Sequence, residues 1–229
     1  MSFDMTELIY RKKNALSRDE AQFLIEEYQK LEETAQLEHC PDAVTGEDIF
    51  SSYKRVSLKP DTEAFDLVFK LNEGLVNDYM NYLDSFEMFH IHGRETMVYS
   101  HMYRLLKYEK GNKIHPHTDH SPYTHGSATF NLNDNYTGGD FLFWRGKHRV
   151  KLEALEAMIW PADYFWVHGV EEITSGVRYS TNSFLQSIPE SVKEHVMMFA
   201  DKKMQQEKLM SVSGRKKSYR YNTRKHSKE

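Results

Sequence analysis

The chain has 229 residues, a formal charge of -4 and a composition of 39% hydrophobic, 28% charged and 13% aromatic residues. That is enough chain for one sizeable buried core, and no run approaches the roughly 18 apolar residues of a membrane-spanning helix. One cysteine, Cys40, excludes an intrachain disulfide framework and fits a reducing compartment.

The opening stretch, MSFDMTELIYRKK, has no apolar segment followed by small residues, so no secretory signal is expected and the predicted location is cytoplasmic, without membrane contact. The first helix is predicted from Ser17. There SRDE offers a capping box between the Ser17 hydroxyl and the Glu20 carboxylate, and Ala21, Leu24, Ile25, Tyr28 and Leu31 recur at helical spacing. A second helix is predicted over about 62–83, on the stripe Val68, Leu71, Leu75, Tyr79 and Leu83, with Gly74 weakening its middle. Between the two helices lies a loop with a short strand around Tyr53 to Leu58.

From about Met97 the pattern changes to short alternating or β-branched runs separated by Gly, Asn, Asp and Pro. Eight strands are predicted, near 101–108, 113–118, 127–133, 141–144, 149–152, 158–160, 165–170 and 178–186. Eight short strands on brief turns predict an α+β, mainly β chain with a jelly-roll core whose mouth encloses a ligand. After SIPE, Val192, Val196 and Phe199 share one helical face, predicting a helix over about 190–210. The last fifteen residues hold seven Lys/Arg against one acid. Residues 211–229 are therefore expected to form a disordered basic tail, a candidate contact for nucleic acid or an acidic partner. The expected organisation is one domain over 1–210, with helical support about 17–84 and the jelly-roll core about 97–187.

Four of the twelve histidines fall in IHPHTDHSPYTHG, at 114–126. On a strand, residues two apart point the same way, so His117 and Asp119 can grip one ion. His168 lies in an apolar strand about fifty residues downstream. Arg178, ten residues further on, begins the next strand, with Ser180 on the same face. An arginine fork matches a carboxylate bidentately, and a hydroxyl two residues away adds a hydrogen bond. Two imidazoles and one carboxylate leave open the positions that suit a non-haem Fe(II) oxygenase. His115, His120 and His125 are expected to line the entrance or satisfy local groups, and Trp144, Trp160 and Trp166 to be core or rim aromatics.

YEKGNKIHPHTD, NLNDNYTGGDFLFW and HGVEEITSGVRYS together resemble the Fe(II)- and 2-oxoglutarate-dependent dioxygenases of the prolyl 4-hydroxylase type, over roughly 99–186. The resemblance implies a double-stranded β-helix core and a metal held by His117, Asp119 and His168. It places the 2-oxoglutarate carboxylate on Arg178 with Ser180. Tyr108 becomes a candidate residue near substrate or cosubstrate. Asn131 stands where many relatives carry a tyrosine that helps hold 2-oxoglutarate, and Ser127, Thr129 and Asn131 form a polar row on one face of their strand. The implied cofactors are Fe(II), 2-oxoglutarate as cosubstrate and O2, with ascorbate as a candidate reductant.

The implied reaction hydroxylates an amino-acid side chain, prolyl first, in a peptide or protein, with 2-oxoglutarate decarboxylated to succinate. Related halogenases lack the carboxylate that Asp119 supplies, which favours hydroxylation. Alternative readings are a hydroxylase of a small free molecule, a nucleic-acid demethylase and a non-catalytic jelly-roll binding module. Demethylases usually carry a second arginine six residues after the first, and here that position is Phe184. The segments expected around the mouth are SSYKRVSLKPD, HIHGRE and HSPYTHGS.

Overall fold

In the computed structural model, which describes residues 4–39, 42, 45–46, 50–86, 96–121, 123–187 and 210–211, the capping box forms as predicted. Ser17 Oγ accepts the Glu20 N–H, and the Glu20 carboxylate accepts the Ser17 N–H, at the start of α1 (Arg18–Leu31). Thr62 caps α2 (Glu63–Leu83) in a similar way, with Oγ1 accepting from Phe65 N–H, and Gly74 sits inside this helix without breaking it. Ser17→Ala removes the acceptor for an otherwise unpaired helix donor, so it is expected to cost about 1 kcal/mol, read as a lower urea midpoint with an unchanged slope.

The strands, in chain order, are β1 (Tyr10–Lys12), β2 (Gln36–His39), β3 (Phe50–Ser57), β4 (Tyr99–Tyr108), β5 (Ile114–His117), β6 (Thr124–Asn131), β7 (Tyr136–Gly138), β8 (Phe141–Phe143), β9 (His148–Val150), β10 (Ala157–Pro161), β11 (His168–Val170), β12 (Ile173–Gly176), β13 (Arg178–Gln186) and β14 (Met210–Ser211). The large sheet runs β1-β10-β6-β13-β4-β3-β2, with β14 against β4. A smaller sheet runs β5-β11-β8-β9, and β12 pairs with β7. Every recorded pair is antiparallel. The predicted α+β, mainly β double-stranded β-helix with supporting N-terminal helices is the fold observed.

Strand alternation sorts the large sheet into two faces. Tyr103 and Leu105 of β4, Ala128 and Phe130 of β6, Ala157 and Ile159 of β10 and Leu185 of β13 pack with Leu24, Tyr28, Val68, Leu75, Tyr79 and other helix residues into one buried core. Burying each large apolar side chain there contributes about 1.5–3 kcal/mol. Ser183 joins this face through a hydrogen bond from its Oγ to Asn72 Oδ1 of α2, 2.6 Å long. The alternate residues point toward the smaller sheet, and between the two sheets lies a cavity of about 640 Å³.

Each of the eight predicted core strands has a counterpart, with shifted ends. The strand expected over 165–170 begins only at His168, because Asp163 accepts the N–H groups of Phe165 and Trp166 and makes a turn of the residues before it. Five short strands went unpredicted: β1, β2, β7, β12 and β14. The helix expected over 190–210 and the tail over 211–229 lie outside the described residues, apart from Met210 and Ser211, which form β14 rather than a helix end.

Candidate active site

His117 closes β5 and His168 opens β11, and the two are direct partners across the smaller sheet. Their rings are 4.4 Å apart between centroids. Asp119, two residues beyond His117, places Oδ1 3.3 Å from His117 Nε2 and Oδ2 3.4 Å from His168 Nε2. The donor atoms of all three lie within 4.8 Å of one another. Each histidine turns Nδ1 to a backbone carbonyl, His117 to His115 at 2.9 Å and His168 to Trp166 at 3.0 Å. A carbonyl only accepts, so Nδ1 carries the proton and the Nε2 lone pairs face the common point.

Electrostatics support the same arrangement. Burial pushes the His168 imidazolium down to about 4, so the ring is neutral at neutral pH and free to donate its lone pair. Burial alone would raise the Asp119 carboxyl. His168, His117 and the Ser127 hydroxyl outweigh it and hold Asp119 well below the usual carboxylate range. Ser127 Oγ, reaching from β6 in the opposite sheet, donates to Asp119 Oδ2 at 2.6 Å. Two imidazoles and one ionised carboxylate on one side of a point fit a divalent transition metal. Trp160 stands edge-on to His168 at 5.0 Å and Phe143 lies 5.7 Å from it, a wall that restricts the ring's orientation.

Arg178 opens β13 and is 1% exposed. Its guanidinium lies 5.2 Å from the ring centres of both Tyr108 and Phe141 and 6.0 Å from that of Tyr136. Its hydrogen bonds go to neutral oxygens, from Nε to Asn131 Oδ1 at 3.1 Å and from Nη1 to the Gly139 carbonyl at 3.3 Å. Among the described residues no carboxylate pairs with it. A buried charge without a counter-charge costs several kcal/mol, so this pocket is built to receive an anion. Tyr108 and Phe141, whose rings flank it, line the same cavity as His117, Asp119 and His168, as does Ser180 two residues along β13.

The other expected residues are also accounted for. Tyr108 is fully buried and stacks on Tyr53, with centroids 4.9 Å apart. Ser180 faces the cavity, as do Ser127 and Thr129 of the polar row. Asn131 belongs to that row and meets the Arg178 guanidinium. Its Nδ2 donates to the carbonyls of Asn133, Leu152 and Glu153, and its Oδ1 accepts from Arg178 and from the Tyr136 hydroxyl. Asn131→Ala orphans several buried groups, so it is expected to cost about 1–3 kcal/mol of stability and to weaken 2-oxoglutarate binding, measured by denaturation with and without that ligand.

The sequence marked the polar row with Ser127 and Asn131 and the Gly138-Gly139 turn of NLNDNYTGGDFLFW, but not what they support: Ser127 bonds Asp119, Asn131 bonds Arg178, and the turn supplies a carbonyl to Arg178. Gly138 has a φ of +82°, and a Cβ there would fall 2.1 Å from the Glu172 carbonyl oxygen. Only glycine lets β7 lie this close to β12, and the turn aims the Gly139 carbonyl at Arg178. The Gly-Gly pair was the visible signal, while its target needed the fold. His115, His120 and His125 stay outside the triad. His120 lines the cavity edge-on to Tyr164, and His125 Nε2 lies 2.9 Å from Ser187 Oγ. Trp160 and Trp166 are buried among aromatics, and Trp144 donates Nε1–H to the Phe165 carbonyl.

Residues 103–186 match the model of the 2OG-Fe(II) oxygenase superfamily. The fold is similar to that of a Pseudomonas putida prolyl-4-hydroxylase, with a TM-score of 0.57 at 16% identity, covering 80% of this chain and 94% of that one. A viral collagen prolyl hydroxylase from Paramecium Bursaria Chlorella virus-1 aligns with a TM-score of 0.56 at 13% identity, over 80% and 97% of the two chains. A Trichoplax adhaerens prolyl hydroxylase, solved with a fragment of the hypoxia inducible factor oxygen degradation domain, aligns with a TM-score of 0.59 at 12% identity, over 80% and 84%. No curated protein matches in sequence.

Proposed function

We propose that this chain, whose residues 103–186 match the model of the 2OG-Fe(II) oxygenase superfamily and whose fold is similar to that of prolyl hydroxylases, is an enzyme that hydroxylates an amino-acid side chain, prolyl first, in a peptide or protein. The superfamily uses Fe(II), 2-oxoglutarate and O2. In this reading His117, Asp119 and His168 hold the metal, Arg178 and Ser180 receive the far carboxylate of 2-oxoglutarate, and Tyr108 borders the cosubstrate. When bound, such an iron centre couples decarboxylation of 2-oxoglutarate to succinate with insertion of an oxygen atom into a C–H bond.

The observation that carries this reading is the buried Arg178, without a carboxylate partner among the described residues, beneath the Tyr108 and Phe141 rings that line the same cavity as the His-Asp-His cluster. A zinc hydrolase with the same three ligands needs no such arginine. The chain's own residues orient the site. Asn131 and the Gly139 carbonyl hold the guanidinium, the Nδ1–H bonds hold the imidazoles, and the rings of Phe143 and Trp160, one from each sheet, flank His168. A peptide substrate is supported by the Trichoplax adhaerens enzyme, which was solved with a peptide fragment.

One domain over 1–210 with a separate tail over 211–229 is part of the same proposal, supported by the single large sheet that joins β1 to β13. No helix among the described residues is long and apolar enough to cross a membrane. The experiment is mass spectrometry of prolyl, lysyl and asparaginyl peptides after incubation with the protein, Fe(II), 2-oxoglutarate and air. The expected result is a peptide that gains one oxygen atom as succinate appears. Succinate without any oxygenated peptide, and with an oxygenated small molecule instead, overturns the peptide assignment.

A further inference from the structure

A second buried arginine lines the cavity itself. Arg104 of β4 is 4% exposed and lines the space into which the His-Asp-His cluster opens. Its place follows from strand register: Arg104 pairs with Asn182 on β13, and Asn182 pairs with Thr129 on β6. One step along, Phe184 pairs with Ser127, the residue whose hydroxyl bonds Asp119. The Arg104 guanidinium carbon lies 5.1 Å from the centre of the Phe184 ring. Arg104 thus stands one cross-strand row from the hydroxyl that supports the metal cluster, while Arg178 stands at the far end of β13.

Its partners are few. Nε donates to Asn182 Oδ1 at 2.8 Å and Nη1 to Glu38 Oε1 at 3.1 Å, with no bond recorded for Nη2 among the described residues. Glu38 also forms an ion pair with Arg55 of β3. Among the described residues two guanidinium groups therefore share one carboxylate, an excess of one positive charge within this cluster. Asp42, the other acidic residue lining this end, pairs with Arg145 at 3.2 Å. Because Asn182 spends its Oδ1 on Arg104, its amide N–H groups are the part left for the cavity. A net positive charge, guanidinium and amide donors, and the apolar ring of Phe184 beneath them complement an acceptor that is anionic and planar on an apolar stem.

We infer that Arg104, with Asn182 and Phe184, forms the subsite that selects the substrate, and that it takes a carboxylate. The inference rests on the oxygenase reading above and deepens it. The carboxylate comes either from an acidic side chain beside the target residue in a peptide or from the substrate's own carboxyl group if the substrate is a free amino acid.

The test uses the full chain with Fe(II) and constant excess 2-oxoglutarate under argon, so that binding is read without turnover. Calorimetry compares two matched pairs: a proline-centred peptide flanked by Glu against its Gln counterpart, and N-acetylproline against its amide. The carboxylate member of at least one pair is expected to bind about tenfold or more tightly, and which pair responds identifies the carboxylate's source. Arg104→Gln is expected to bring that ratio to about one. Glu38→Gln, which leaves Arg104 in place and removes the competing charge, is expected to raise it. Equal binding within both pairs, binding of none of the four, or a preference that survives Arg104→Gln overturns the inference. A carboxylate preference with no succinate formed on admitting air overturns the oxygenase reading alone.

Discussion

His117→Ala is expected to abolish stoichiometric Fe(II) binding and, with it, succinate formation from 2-oxoglutarate. Three donors converge within 4.8 Å, and removing one leaves an imidazole and a carboxylate that grip an ion far less well. The loss should exceed the roughly 10- to 100-fold drop in metal affinity produced by removing an outer partner of a ligand, which is the expectation for Ser127→Ala. Metal analysis of anaerobically purified protein measures both. His117 is the informative position because its side chain is 17% exposed against 4% for His168, so its truncation disturbs packing less. Equal metal content in wild type and His117→Ala would remove His117 from the site.

Arg178→Met has two expected effects of opposite sign. The half-saturating concentration of 2-oxoglutarate should rise roughly 30- to 3,000-fold, the equivalent of about 2–5 kcal/mol for losing one partner of a buried charge pair. The ligand-free protein should become no less stable, and even more so, because a buried guanidinium without a carboxylate is replaced by an apolar chain of similar length. The cage of Tyr108, Phe141 and Tyr136 rings is already suited to such a chain. Thermal melts without ligand, paired with 2-oxoglutarate titrations, separate the two effects. A destabilised Met variant with unaltered 2-oxoglutarate affinity would make Arg178 a structural residue.

The parts legible in the sequence are those whose signal is local. Ser17 and Glu20 announce a helix start because both halves of the capping box lie within four residues. His117 and Asp119 share a face because a strand alternates with period two, and the same rule places Ser180 beside Arg178. What the sequence hid depends on pairing between distant segments. β1 and β2, only three and four residues long, exist as strands because β10 and β3 present edges to them. β7 and β12 carry no alternating pattern and lie close because Gly138 and Gly176 let the Glu172 and Asn135 carbonyls approach where a side chain would clash.

The same limit applies to the site. Asn131 could be placed on a polar face but not on Arg178, since that contact spans 47 positions in the chain. Arg104 gave no signal at all. Its significance comes from Glu38 of β2 and Asn182 and Phe184 of β13, which cross-strand register brings to Arg104 of β4.

The most direct test is formation of succinate from 2-oxoglutarate by the purified chain, assayed with Fe(II) and air in the presence of pooled prolyl peptides. Wild type should release succinate in an iron-dependent manner, and both His117→Ala and Arg178→Met should fail at a 2-oxoglutarate concentration that saturates wild type. Iron-loaded wild-type protein that neither binds 2-oxoglutarate nor releases succinate under these conditions would contradict the assignment of this site as a 2-oxoglutarate oxygenase centre.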